Sequence, residues 1–303
     1  MPVQEDQLKN GIILQGIGGY YEVLDAAGQV HTCNARGKLR QEVGKPLTGD
    51  HVSFLPAKDQ QNGRIEHISP RKNQLVRPPA ANIDQMIVVI TAGVPAADLL
   101  LLDRLLIQAE QWEMEAVLCI NKCDMDEDGR VEEGIRREYA ATGYPVLSVS
   151  AKNAEGIDNI TARLKGKVTC FAGQSGVGKS SLINLLLPGE EMETGGLSKK
   201  LARGRHTTRR TQLLRAGPDT FIMDTPGFSL FETNIGTPEL LQEYYPEYRP
   251  YQGQCRFNGC LHDREPDCAV RQAVARGELA RGRHERYRTL LSEAREQWRR
   301  QYD

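Results

Sequence analysis

The first seventy residues alternate short apolar runs with turn residues. Ile12-Ile13-Leu14, Tyr20-Tyr21-Glu22-Val23-Leu24, Val30-His31-Thr32-Cys33, His51-Val52-Ser53-Phe54-Leu55 and Arg64-Ile65-Glu66-His67-Ile68 read as five short strands. Gly18-Gly19, Ala27-Gly28, Thr48-Gly49-Asp50 and Asn62-Gly63 supply the turns between them. Five strands in so short a stretch predict a small barrel, of the OB type or the SH3 type. Periodicity does not separate the two. OB barrels often bind oligonucleotides, but a β domain without a ligand fits the pattern as well. From Ser69 to Pro79 prolines and charges take over, which marks a linker and a domain boundary.

Beyond it the pattern switches to alternating strands and helices. Gln85–Ile90 is a continuous apolar run, as expected of a strand buried on both faces. Asp98–Trp112 carries leucines at helical spacing behind a capping Asp98. Ala116–Ile120, Val146–Val149, Lys167–Ala172 and Thr220–Met223 read as further strands. Val131–Thr142, Gly156–Leu164 and Ser181–Leu187 read as helices. This order predicts a doubly wound α/β domain. From Pro238 onward cysteines cluster, and Ala269–Asp303 becomes helical and arginine-rich. The expected division is 1–70, 71–236 and 237–303.

Composition narrows the class. A chain of 303 residues holds two or three domains, and 39% hydrophobic with 26% charged residues suits a soluble globular protein. No apolar run is long enough for a membrane span, and the N-terminus shows no secretory pattern, so the expected compartment is the cytoplasm. Seven cysteines, four of them scattered, do not make a disulfide framework. Net charge is −1, so any attraction to nucleic acid must be local.

The chemistry centres on Gly173-Gln174-Ser175-Gly176-Val177-Gly178-Lys179-Ser180, which has the phosphate-loop pattern between a strand and a helix. Glycines let the backbone approach phosphates, while amides and the helix N-terminus face the anion. Lys179 is expected to reach the β- and γ-phosphates, Ser180 to ligate magnesium, and Ser181 to lie beside it. The bland alternative is a Gly-rich turn. Asn121-Lys122-Cys123-Asp124 closes another strand at the ligand edge of such a sheet. Its carboxylate can accept two N–H bonds from guanine, which adenine does not offer. Ser150-Ala151-Lys152 follows the next strand, where the Ala151 amide would meet guanine O6. Asp224-Thr225-Pro226-Gly227 ends a strand as well. Asp224 would hold magnesium through water, and the Gly227 amide would sense the γ-phosphate. The intervening segment is strongly basic and carries His206, Thr207 and Thr208. One of the threonines is expected to complete the magnesium shell.

These five elements stand in an unusual order, because the base-reading pair precedes the phosphate loop. A circular permutation explains it. Only Lys165-Gly166-Lys167 joins the helix Gly156–Leu164 to the phosphate-loop strand, and domain termini often lie close together. Near the end, Cys255-x4-Cys260-x-His262-x5-Cys268 offers three thiolates and one imidazole. That set completes a tetrahedral zinc shell with no open position, the mark of a structural site. Free cysteines near a histidine are the alternative.

The combination resembles the bacterial ribosome small-subunit-dependent GTPase A family of circularly permuted GTPases. The barrel, Asn82-Ile83-Asp84-Gln85 at the start of the GTPase domain, the permuted motifs and the cysteine cluster carry the likeness across nearly the whole chain. The resemblance implies an OB-type β-barrel, a permuted P-loop GTPase domain and a mainly helical zinc-binding domain, with one structural Zn2+ on Cys255, Cys260, His262 and Cys268. It implies GTP and GDP as ligands with Mg2+, and a role in late maturation of the small ribosomal subunit and its rRNA. The expected form is a monomer. Relatives often follow His-Thr-Thr with a third threonine, where this chain has Arg209, so the choice between Thr207 and Thr208 stays open.

Many GTPases orient the attacking water with a glutamine just after D-x-x-G. This chain has Phe228 there. His206 as water-orienting group or base, a ribosomal group acting in trans, and intrinsically slow turnover are the three alternatives. The resemblance favours His206. For RNA contact the acid-free segment Lys199–Arg215 is the stronger candidate, and Arg271, Arg276, Arg281, Arg283, Arg286 and Arg288 of the tail are the weaker. Two competing functions are a metabolic phosphotransferase using the same loop and an RNA-binding assembly factor with a structural nucleotide.

Overall fold

The computed structural model describes residues 7–35, 44–57, 62–76, 78–187, 211–224 and 235–302. In chain order its strands and helices are β1 (Lys9–Ile17), β2 (Tyr20–Asp25), β3 (Val30–Ala35), β4 (His51–Leu55), β5 (Gly63–Ile68), β6 (Gln74–Leu75), β7 (Ala80–Ala81), β8 (Gln85–Thr91), α1 (Leu99–Gln111), β9 (Glu115–Asn121), α2 (Arg130–Glu138), β10 (Val146–Ser148), α3 (Ile157–Leu164), β11 (Val168–Ala172), α4 (Lys179–Leu186), β12 (Gln212–Gly217), β13 (Thr220–Asp224), α5 (Ala269–Ala275) and α6 (Arg281–Tyr302). The chain forms two compact units. One holds Met1–Met86, Ile160–Phe171 and Ile183–Phe228, and the other Ile87–Asn159, Ala172–Leu182 and Ser229–Asp303.

In the first unit, β1 to β5 close a barrel in the order β1-β2-β3-β5-β4. β3 and β5 run parallel and the remaining pairs antiparallel. This five-stranded Greek-key arrangement is the OB type, which decides between the two barrels left open by periodicity. Period-two alternation sends Ile13, Tyr21, Val23, Cys33, Val52, Phe54 and Ile65 into a shared core. A bulge between Ile13 and Gln15 bends β1 as it closes against both neighbours.

The expected linker is ordered instead. β6, within it, pairs with β7 just beyond it as a short ribbon. Arg71 binds both oxygens of the fully buried Asp50, at 2.7 and 2.8 Å, and Asp50 also accepts from the Leu47 amide. Asn73 exchanges side-chain bonds with the backbone of Ile83. Composition signals a boundary here, but buried polar pairing makes the stretch part of the packed unit. In the same unit, β11 runs parallel to β13 and β12 antiparallel to it, so the α/β sheet is mixed.

In the second unit the strand order is β10-β9-β8, with β9 and β10 parallel. Asp98 caps α1 as expected, accepting from the Leu101 amide at 3.0 Å. α2 ends at Glu138, four residues before the expected Thr142. Tyr139 turns inward there and donates to Asp103 at 2.6 Å, while residues 140–142 tighten into a 3₁₀ turn. The tail forms two helices, α5 and α6, with Gly277 at φ +77° between them.

The tail arginines are used differently from expectation. Arg283 is 3% exposed and lies between Asp103, at 2.5 Å, and Glu247, with its guanidinium over the Tyr245 ring. Arg286 binds Asp103 at 2.6 Å and Glu138 at 3.1 Å, and Arg288 binds Asp263. These three cations pin α6 to α1, α2 and the cysteine-rich loop. The sequence-based reading as RNA contacts is corrected for Arg283 and Arg286, because buried carboxylates already claim them.

Replacing Arg283 with Met leaves Asp103 and Glu247 buried beside a lost cation, which is expected to cost about 3 kcal/mol of stability. Urea unfolding followed by Trp112 and Trp298 fluorescence measures it. A loss under about 0.5 kcal/mol would show that the pair is not a true buried ion pair.

Candidate nucleotide and metal sites

β11 passes directly into the loop 173–178, and α4 starts at Lys179. The loop needs its glycines. Gly173 has φ +137°, and a Cβ there would sit 2.1 Å from the Val89 carbonyl oxygen. Gly178 has φ +97°, and its Cβ would sit 2.3 Å from Asn121 Nδ2. Val177 is buried and anchors the loop, while Ser175, Gly176, Ser180 and Ser181 are exposed. Lys179 Nζ donates to the Gly173 and Gln174 carbonyls at 2.6 and 2.8 Å. Burial lowers the Lys179 pKa, so the ammonium gains from an anionic partner in the loop.

The base-reading motif touches this loop directly. Asn121 ends β9 and is 1% exposed. Its Nδ2 donates to the Val177 carbonyl at 2.8 Å, and its Oδ1 accepts from the Ala151 amide at 3.0 Å. Lys122 adopts the left-handed conformation, φ 60°. That turn sends its Nζ to the Gly176 carbonyl at 2.8 Å and to the Val94 carbonyl at 2.5 Å. Cys123 donates its thiol to the Ile120 carbonyl, and burial raises its pKa, so it acts as a quiet filler. Asp124 accepts from Ser150 Oγ at 2.6 Å, with Lys152 Nζ at 3.8 Å from its other oxygen. Asp124 and Lys179 therefore belong to one cluster of three loops. The Asp124 carboxylate lies in one of these loops, and the glycines with the Lys179 ammonium in another.

Asp224 ends β13 in the first unit. Gln212 Nε2 donates to its Oδ2 at 3.3 Å, and burial raises its pKa against that bond. His206, Thr207, Thr208, Gly227 and Phe228 lie outside the described residues.

The cysteine cluster also converges. One donor atom from each of Cys255, Cys260, His262 and Cys268 lies within 4.8 Å of the others. His262 Nδ1 is 3.6, 3.5 and 3.3 Å from the three sulfurs in chain order, and Cys255 to Cys268 is 3.9 Å. Tetrahedral arms of about 2.3 Å to sulfur and 2.0 Å to nitrogen imply edges of about 3.5 to 3.8 Å, so the donor set fits a single ion. Burial pushes the Cys260 thiol up to about 12 and lowers the His262 pKa, so the imidazole is held neutral. A divalent cation would stabilise the thiolates that burial disfavours. The loop is shaped for this by Glu265, whose carboxylate accepts the amides of Leu261, Asp263 and Arg264 at 2.9 to 3.0 Å.

The pattern of the RsgA N-terminal domain matches residues 10–65, and that of the RsgA GTPase matches residues 68–234. The chain belongs to the RsgA GTPase family. It is 44% identical to the small ribosomal subunit biogenesis GTPase RsgA of Caldanaerobacter subterraneus, over 96% of this chain and 98% of that one. It is 42% identical to the protein of the same name from Geobacillus kaustophilus, over 95% and 98%. Among solved structures it is similar to YjeQ from Thermotoga maritima, with a TM-score of 0.83, 36% identity, and 95% and 98% of the two chains covered. It is similar also to YloQ, described as a circularly permuted GTPase, with a TM-score of 0.81, 34% identity, and 98% and 99% covered. The permuted order read from the motifs is thus the order of this RsgA fold. Among the described residues no helix is long and apolar enough to cross a membrane.

In the sequence Asn121 is one letter of N-K-x-D. Its use as a brace between Val177 and Ala151 was missed, as was the Val94 carbonyl that receives Lys122. An asparagine at a strand end, with a donor and an acceptor to satisfy, is the one sequence feature that could have signalled it.

Replacing Gly178 with Ala forces a methyl group onto Asn121 Nδ2 at a positive φ, so the brace must move. Affinity for a fluorescent guanine nucleotide is expected to fall at least about tenfold with the fold intact by circular dichroism. Wild-type affinity would show that the brace does not shape the site.

Proposed function

We propose that this chain binds and hydrolyses GTP during late maturation of the small ribosomal subunit. The observation that supports the proposal is the brace at Asn121, which ties the N-K-x-D segment to the Gly-rich loop and to Ala151. The relatives at 42–44% identity bear the name of small ribosomal subunit biogenesis GTPases, which supports the partner. In this reading Asp124, oriented by Ser150, takes the guanine N–H groups, and the Ala151 amide faces O6. Lys152 and Lys122 line the base, with Cys123 behind it. The backbone of Gly173, Gln174, Ser175, Gly176, Val177 and Gly178 wraps the phosphates.

Lys179 now spends its protons on two loop carbonyls. An incoming phosphate competes for them, so the lysine leaves neutral acceptors for anionic ones and neutralises charge as it develops on the phosphoryl group. Ser180, Asp224 and one of Thr207 and Thr208 would hold Mg2+, with Ser181 and the Gly227 amide close by. The ion supplies charge neutralisation between the phosphates. His206 is proposed as the group that orients the attacking water, since Phe228 occupies the position of the usual glutamine. Cys255, Cys260, His262 and Cys268 would hold one structural Zn2+, with no open position for chemistry.

The domain division 1–70, 71–236 and 237–303 is part of the proposal, supported by the closed barrel and the two matched family patterns. So are a monomeric state, a cytoplasmic location and direct contact with rRNA.

Hydrolysis of GTP and of ATP, each with and without purified small subunits, tests the reading. GTP turnover stimulated by the subunit is expected, with ATP ignored and Asp124→Asn abolishing the preference. Equal use of ATP would contradict the base assignment. Negligible hydrolysis even with subunits would favour an RNA-binding factor with a structural nucleotide.

A further inference from the structure

Thr211 follows residues 188–210 directly in the chain, the stretch that carries His206, Thr207 and Thr208. Its carbonyl accepts a hydrogen bond from Thr48 Oγ1 at 3.3 Å. Thr48 is buried in the barrel turn Thr48-Gly49-Asp50, and three contacts hold that turn still. Asn82 Nδ2 donates to the Gly49 carbonyl at 2.9 Å. Arg71 grips Asp50 with two bonds. Gly49 itself, at φ +92°, lies so close to the Ala81 carbonyl that a Cβ would sit 2.1 Å from it. The hydroxyl is therefore a fixed donor presented by the barrel.

The next residue, Gln212, stands directly opposite Asp224 in the β12–β13 pairing. Opposed residues of neighbouring strands project on the same face, within reach of each other. Gln212 Nε2 uses that reach to donate to Asp224 Oδ2 at 3.3 Å. Among the described residues no hydrogen bond to Asp224 Oδ1 is found. One carboxylate oxygen is thus held by a neutral amide. All four residues lie in the same compact unit.

We propose that Gln212 is a positioning residue for Asp224, and that Thr48 sets the place of Gln212 by holding Thr211. The barrel then touches the magnesium side of the site through two consecutive residues. By reciprocity, whatever biases the barrel turn biases the carboxylate, and the converse. The inference rests on the reading of Asp224 as the magnesium-side carboxylate.

The test uses the full chain loaded with mant-GDP. The Mg2+ concentration that half-maximally slows release of the fluorescent nucleotide is measured for Gln212→Leu, Thr48→Val, Thr48→Ser, the Gln212→Leu/Thr48→Val pair and Asp224→Asn. Urea midpoints are taken in parallel. Losing a hydrogen bond to a carboxylate is expected to raise the half-saturating Mg2+ about tenfold in Gln212→Leu. Thr48→Val is expected to raise it a few-fold, and Thr48→Ser, which keeps the hydroxyl, to match wild type. The pair should do no more than Gln212→Leu alone, because both act on one linkage.

A merely structural role would lower the urea midpoints and leave the Mg2+ requirement at wild type, which would overturn the proposal. Fully additive effects would overturn the link through Thr48. Asp224→Asn separates the two levels. If it leaves the Mg2+ requirement unchanged, the underlying assignment of Asp224 fails; if it raises the requirement while Gln212→Leu does not, only the present inference fails. Should Gln212→Leu not fold, Gln212→Asn, one methylene shorter, is expected to move the Mg2+ requirement in the same direction.

Discussion

The site depends on one buried side chain satisfying two backbone groups from different loops. Asn121 holds the Val177 carbonyl with its amide and the Ala151 amide with its carbonyl oxygen. Each bond is worth about 1 kcal/mol net, but leaving either backbone group buried and unpaired would cost more. The brace therefore matters for geometry as well as for stability. It fixes the spacing between a loop suited to phosphate and a loop suited to a base. Lys122 repeats the link one residue on, from the base loop to the Gly176 carbonyl. The permutation matters less than it first suggests, because the brace joins segments by contact and is indifferent to their order along the chain.

The metal cluster and the buried arginines show a division of labour in the C-terminal residues. A cysteine-rich loop has little apolar material of its own, so it needs a cross-link. Four donors within 4.8 Å of one another offer one, and the Glu265 carboxylate shapes the loop that carries His262. Arg283 and Arg286 then fasten α6 to Asp103 on α1. A helix that reads as a basic face in sequence is thus partly a row of internal ties. The counter-charge that Arg283 and Arg286 share, Asp103, lies 180 and 183 positions away, which no local pattern displays.

Much of this was legible beforehand. The barrel strands, the apolar run of β8, the Asp98 cap and the Gly-rich strand–loop–helix unit follow from periodicity, capping and glycine placement, which are local rules. What local rules could not give was long-range polar pairing. Asp50 with Arg71 turned an expected linker into packed structure. Tyr139 with Asp103 ended α2 early. Asn121 with Val177 made two motifs into one site. In each case the partner lies outside any helical or strand period, so only the folded chain reveals it. The choice of OB over SH3 barrel was hidden for the same reason, since it rests on the parallel pairing of β3 with β5.

In the proposed function, base reading and phosphate binding are one coupled property set at Asn121. The most direct measurement is the affinity of Asn121→Ala for GDP and for ADP, compared with wild type by calorimetry. The account predicts that GDP weakens more than ADP, so that the ratio of the two shrinks, because the base loop loses its place along with the phosphate loop. An unchanged GDP-to-ADP ratio, with both affinities lowered equally or neither lowered, would contradict it.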